Sequence, residues 1–138
     1  MGNTISYRIA DHQLDLGDGN GSIKGLQYDS KASRYAGVPY ISHDGGPFDA
    51  TRFGPICSQD LHYTSSKKDR LPEEAYGEDC LRLNIWTPVN SDENKKWLVM
   101  LWLYGGWFQM GDPSHEAGMD PTELISSGKL NAIVVAIE

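Results

Sequence analysis

Two stretches constrain this chain more than any other: "WLVMLWLY", residues 97–104, apolar at every position, and "AIVVAI", residues 132–137. A strand apolar on both sides belongs inside a sheet covered on both faces, the usual setting of parallel strands joined by crossover helices. Between the two, "DPTELISSGK" predicts a helix, with Asp120 as N-cap, Pro121 at the first helical position, Glu123 in the first turn and Gly128 as the stop. Strand, loop, helix, strand is a βαβ unit, and it places the chain in the α/β class. Glu138 follows the second strand directly, and a strand of that kind needs neighbours on both sides. The expectation is a sheet cut short.

The first half reads as short strands broken by turns. "SIKGLQY" (22–28) follows the glycine-rich turn "GDGNG", and "RYAGVPY" (34–40) runs into a proline. Residues 41–79 read mostly as loop, which is long for a compact domain unless it is pinned or functional. "CLRLNIW" (80–86) alternates apolar and polar residues, the mark of a half-exposed strand, and Pro88 ends it. "DGNGSI" (18–23) resembles the middle of a calcium-binding EF-hand loop. Leu16 and Gln27 would then occupy its first and twelfth ligand positions, so both key carboxylates are missing and a hairpin turn is the better reading.

Charge and spacing exclude several classes. A net charge of −7 over 138 residues, with "SSKKDR" (65–70) the only basic cluster, argues against nucleic acid. No run reaches the 18 or so apolar residues of a membrane span. The start, "MGNTISYRIADHQ", lacks an apolar signal core, so the reading is a cytoplasmic chain. Gly2 and Ser6 match the N-myristoylation pattern, but no polybasic patch or early cysteine supplies a second anchor. The sequon Asn20-Gly21-Ser22 then lies in the wrong compartment for glycosylation. His12, His43, His62 and His115 have no metal-ligand spacing, and two cysteines 23 apart make no CxxC site. No metal or cofactor is expected.

One feature resists a packing explanation. Gly105 and Gly106 sit between the apolar run and an aromatic pair, in "LWLYGGWFQMG" (101–111), although glycine loses the most entropy on ordering and packs nothing. Something there needs bare backbone: a plain turn after a strand, or a close approach by a ligand.

"GEDCLRLNIWTP" (77–88) closely resembles the E-D-C-L-x-L-N-[IV]-x-x-P signature of type B carboxylesterases, the family that includes the cholinesterases. Glu78, Asp79, Cys80, Leu81, Leu83, Asn84, Ile85 and Pro88 all fall in place. Upstream, "GSIKG", "YAGVPY" and "RFGPI" are similar to that family's N-terminal segments, in the same order. Downstream, "WLYGGWFQMG" is similar to its oxyanion-hole motif. The resemblance implies an incomplete α/β-hydrolase: residues 1–138 as the N-terminal part of the domain, about the first quarter of a full-length member. It also implies backbone N–H donors at Gly106 and Trp107 for a developing oxyanion, with Gly105 permitting the turn.

Two departures qualify the resemblance. Trp107 replaces the usual third glycine, and its indole is expected to crowd or reshape the acyl pocket. Arg70 stands where the cholinesterases carry a choline-binding tryptophan, which argues against a choline ester as substrate. Cys57 and Cys80 match the pair that forms the first disulfide of secreted members; in a cytoplasmic chain the thiols are expected to stay reduced.

Ester hydrolysis in this family needs a serine on a G-x-S-x-G elbow, then an acid, then a histidine. None of the serines here has glycine at both −2 and +2, and Asp112 and His115 make no triad with any of them. An oxyanion hole with binding alone leaves roughly 10³–10⁴ over water, against 10⁶ or more for a working enzyme. Three readings stay open. The chain is the N-terminal piece of a carboxylic-ester hydrolase, inactive alone and acting on a small-molecule ester only when the C-terminal part is supplied. It is a non-catalytic partner-binding protein. Or it is a non-functional remnant, prone to self-association through exposed strands.

Overall fold

A glycine-rich turn sets the first strands. β1 (Ile9–Asp15) and β2 (Ser22–Tyr28) form an antiparallel hairpin, closed where Leu16 N–H donates to Gly21 O at 3.0 Å. "DGNGSI" is therefore a hairpin turn, as its glycines suggest. The computed structural model describes residues 6–40, 47–59, 71–90, 94–107, 110–114 and 119–138. Gly2, His43, His62, the basic loop 65–70 with Arg70, and His115 lie outside the described residues.

β1 was not expected from sequence. Nearly all its residues are exposed, and an ion pair, Asp11 with Lys24 of β2, lies in solvent, so no buried face leaves an apolar period to read.

β3 (Ala32–Pro39) pairs antiparallel with β2 on one side and with β7 (Arg82–Pro88) on the other. The β3–β7 register shifts between Tyr35 and Val38, and the signature sequence explains how that bulge is held. Gly37 takes a left-handed φ of 67°, where a side chain would press on the Arg52 carbonyl. Its N–H, freed from the ladder, donates to the buried Asn84 Oδ1 at 2.9 Å, and its carbonyl accepts from Arg82 Nη1 at 2.8 Å. Arg82 is in turn held by Asp79, through the backbone carbonyl and an ion pair.

The long connecting region is pinned. β4 (Phe48–Asp49) adds to β2 in parallel, and β5 (Ile56–Cys57) pairs with β6 (Tyr76–Gly77) just after a 3-10 turn at Glu73–Ala75. Cys57 and Cys80 are joined as a disulfide, their Cα atoms 5.0 Å apart. The expectation of reduced thiols does not describe this structure: β5 and the start of the signature segment bring the two side chains into bonding range.

The βαβ unit forms, with its helix one residue later than expected: Pro121 is the N-cap and Thr122 the first helical residue. β8 (Leu98–Trp102), α1 (Thr122–Ser126) and β9 (Ala132–Ile137) place β8 parallel to β9, and β9 pairs antiparallel with β7. Asp120 Oδ1 accepts from Thr122 N–H at 2.9 Å, and Gly128, at φ 73°, ends the helical stretch. The main sheet runs β1-β2-β3-β7-β9-β8, with β4 beside β2.

Adjacent residues Ile85 and Trp86 point to opposite faces of the sheet, so each belongs to a separate core. Trp86 packs with Ala32, Ile125 of α1, Val134 and Ala136; Ile85 packs with Ile23, Tyr35 and Ala50. One expectation fails. β8 was expected to be covered on both faces, yet Leu98 is 80% and Val99 64% exposed. β8 is the outer strand, and α1 covers the neighbouring strands instead.

Candidate functional site

The loop that leaves β8 turns back on itself. Met110 N–H donates to Gly106 O at 3.1 Å, so the backbones of these two residues lie against each other. Gly106 has φ 152°, and a Cβ there would overlap the Met110 carbonyl oxygen. Gly111 has φ 131°, and a Cβ there would run into the Tyr104 ring and the Gly105 carbonyl. Among the described residues, Gly105 has no atom within 4 Å of an added Cβ. The conformational demand thus falls on Gly106 and Gly111. Gly105, expected to permit the turn, is conformationally ordinary and leaves open space beside the backbone. Trp107 holds a left-handed φ of 59° with its indole 86% exposed, so the side chain does not fill the site.

These residues line a cavity of about 670 Å³. One wall is Tyr104, Gly105, Gly106, Trp107, Met110 and Gly111; the other includes Cys57, Gln59 and Glu138. The structure therefore brings Gly105, Gly106, Trp107 and Cys57 to one place, with Cys80 tied in through the disulfide.

Sequence reasoning singled out neither Glu138 nor Gln59 of that cavity. Glu138 is buried at the end of β9, with Tyr40 Oη donating to its carbonyl at 2.5 Å and its own N–H bonded to Arg82 O. Burial first, then the Asp112 carboxylate, push its carboxyl up to about 7, and Oε1 has no partner among the described residues. Tyr104 is raised too, by burial and then by the same two carboxylates. Asp112 itself accepts from the Ser114 N–H at 2.9 Å and from the Ser114 hydroxyl. Gln59 is the second: its side-chain amide bonds to Gly111. Neither residue has a local signal, because each acts on a partner far away in the chain.

Chemically, the site offers bare backbone at the mouth of a partly apolar cavity, and a carboxyl group that ionises near neutrality. Among the described residues no cluster of histidine, cysteine and carboxylates could hold a metal. No described helix is long and apolar enough to cross a membrane.

Comparison with known proteins gives a consistent picture. The model of the carboxylesterase family matches residues 42–138. An uncharacterized esterase/lipase of Schizosaccharomyces pombe is 31% identical over 133 residues, covering 85% of this chain and 23% of that protein. Carboxylesterase 1F of Mus musculus is 35% identical over 96 residues, covering 64% of this chain and 16% of the relative. Among solved structures, an esterase from Clostridium hathewayi superposes with a TM-score of 0.74 at 21% identity, over 96% of this chain and 28% of that one. That likeness shows the α/β-hydrolase fold. The chain spans about a quarter or less of the length of these relatives.

Proposed function

The chain belongs to the carboxylesterase family, and from that premise we propose that it supplies the oxyanion-hole side of a carboxylic-ester hydrolase site and does not hydrolyse esters by itself. The observation that carries the reading is the loop after β8. Gly105 leaves open space beside the backbone on a cavity wall shared with Gly106 and Trp107, whose N–H groups are the proposed donors. A substrate oxygen must come within about 3 Å of such donors, and only bare backbone allows it. The attacking serine, the acid and the histidine would come from outside these residues, since no serine here sits on a G-x-S-x-G elbow.

The purified chain is expected to show no hydrolysis of p-nitrophenyl butyrate above a boiled control. Turnover abolished by a serine-directed phosphonate would overturn the reading. The donor role is tested in a full-length relative carrying residues 97–112 of this chain. There Gly105→Val would occupy the approach to the donors and lower kcat by about 10²–10³. The melting temperature should hold, because a Cβ at that position meets nothing among the described residues. Unchanged kcat would reduce the loop to a plain turn.

The exposed face of β8 supports a second reading, a partner-binding protein. A stable monomeric chain that is inactive would favour it.

A further inference from the structure

We propose that Gln59 is the positioning residue for Gly105, Gly106 and Gly111, setting the path of the backbone that would bind the oxyanion; the inference rests on the oxyanion reading above. Its side-chain amide pairs with both backbone polar groups of Gly111. Nε2 donates to Gly111 O at 2.9 Å, and Oε1 accepts from Gly111 N–H at 2.6 Å. Nε2 also donates to Cys57 O at 3.1 Å, which fixes the amide to its own chain segment. Gln59 thus behaves like one more strand residue, offering Gly111 the two-bond pairing a ladder would give.

The constraint passes from Gly111 to the proposed donors through direct contacts. The Cα of Gly111 packs so closely on the Tyr104 ring and the Gly105 carbonyl that no side chain fits there. Its neighbour Met110 packs its carbonyl against Gly106 and donates its N–H to Gly106 O. If Gly111 moves, Gly105 and Gly106 lose their support. Gln59 is itself anchored two residues after Cys57, whose disulfide ties this segment to Cys80, two residues before β7. An amide is suited to this task because it supplies donor and acceptor together without a charge beside Glu138 and Asp112.

The test uses hydrogen exchange with mass spectrometry on the chain at low micromolar concentration. Gln59→Met keeps the length and removes the pairing. Exchange across residues 104–111 is expected to rise about tenfold or more, the factor for losing two hydrogen bonds, with β7 and β9 unchanged. Gln59→Asn, which keeps the amide on an arm one methylene shorter, should fall between wild type and Gln59→Met. A loop that exchanges as in wild type, or one that loosens together with β7 and β9, would overturn the proposal.

In a full-length relative carrying residues 57–59 and 97–112 of this chain, Gln59→Met should lower kcat with KM within about twofold, the pattern of a lost transition-state interaction. A loosened loop with intact kcat would leave the hold of Gln59 on the loop standing and remove the oxyanion reading instead.

Discussion

At the scale of single residues, the two adjacent glycines of the loop separate cleanly. Gly106 is required by conformation and by the Met110 carbonyl, so Gly106→Ala should cost about 1–3 kcal/mol, the strain of a side chain forced into a glycine-only conformation. Gly105→Ala should leave stability within about 0.5 kcal/mol. A pair of urea titrations checks this, and equal losses would contradict it. Glu138 carries a pH signature. Its folded carboxyl titrates near 7, above the usual carboxylate range, so the folded state holds a proton that the unfolded chain has released. Stability from this group is therefore present at acid pH and declines as pH rises from about 4.5 to about 7. Glu138→Gln keeps the shape without the charge. It should raise the melting temperature at pH 8 by a few degrees relative to wild type and by much less at pH 5. A gain at pH 5 as large as at pH 8 would count against the buried-carboxyl account.

At the scale of elements, bonds between segments hold the region between β3 and β7. The Cys57–Cys80 disulfide closes a separation of 23 residues, and in the chain-entropy view such a link contributes about 2–4 kcal/mol. Replacing both cysteines by alanine should lower stability by that amount, and dithiothreitol should have the same effect on wild type while leaving the double variant unchanged. Identical denaturation midpoints with and without reductant would show the link to be thermodynamically silent. The β3 bulge shows how a signature motif serves packing. Asn84 and Arg82 satisfy the two polar groups of Gly37 that a regular ladder would have paired. The family resemblance located Asn84, while its task became visible only once β3 lay beside β7.

For the whole molecule, the outer strand carries a prediction about behaviour in solution. β8 pairs with β9 on one side, and among the described residues no strand pairs with its other edge, while Leu98, Val99 and Leu101 face solvent. A flat apolar edge of this kind favours association. The chain should elute as higher-order species on size exclusion with light scattering, and Leu98→Lys combined with Val99→Lys should shift it toward monomer. A monodisperse wild-type monomer would contradict this. The sequence by itself determined what is set locally: the turn that opens "SIKGLQY", the alternation in "CLRLNIW", the helix between two apolar strands, and the motif that identifies the family. Those signals survive in one dimension because the pleat and the helical turn impose a short period on neighbouring residues. Only the tertiary structure decided which strand lies at the edge, that Glu138 is buried beside the cavity, and that Gln59 holds Gly111, 52 positions away. Those facts depend on pairings between distant segments, and a residue whose partner lies across the sheet or on another loop leaves no periodic trace in the sequence around it.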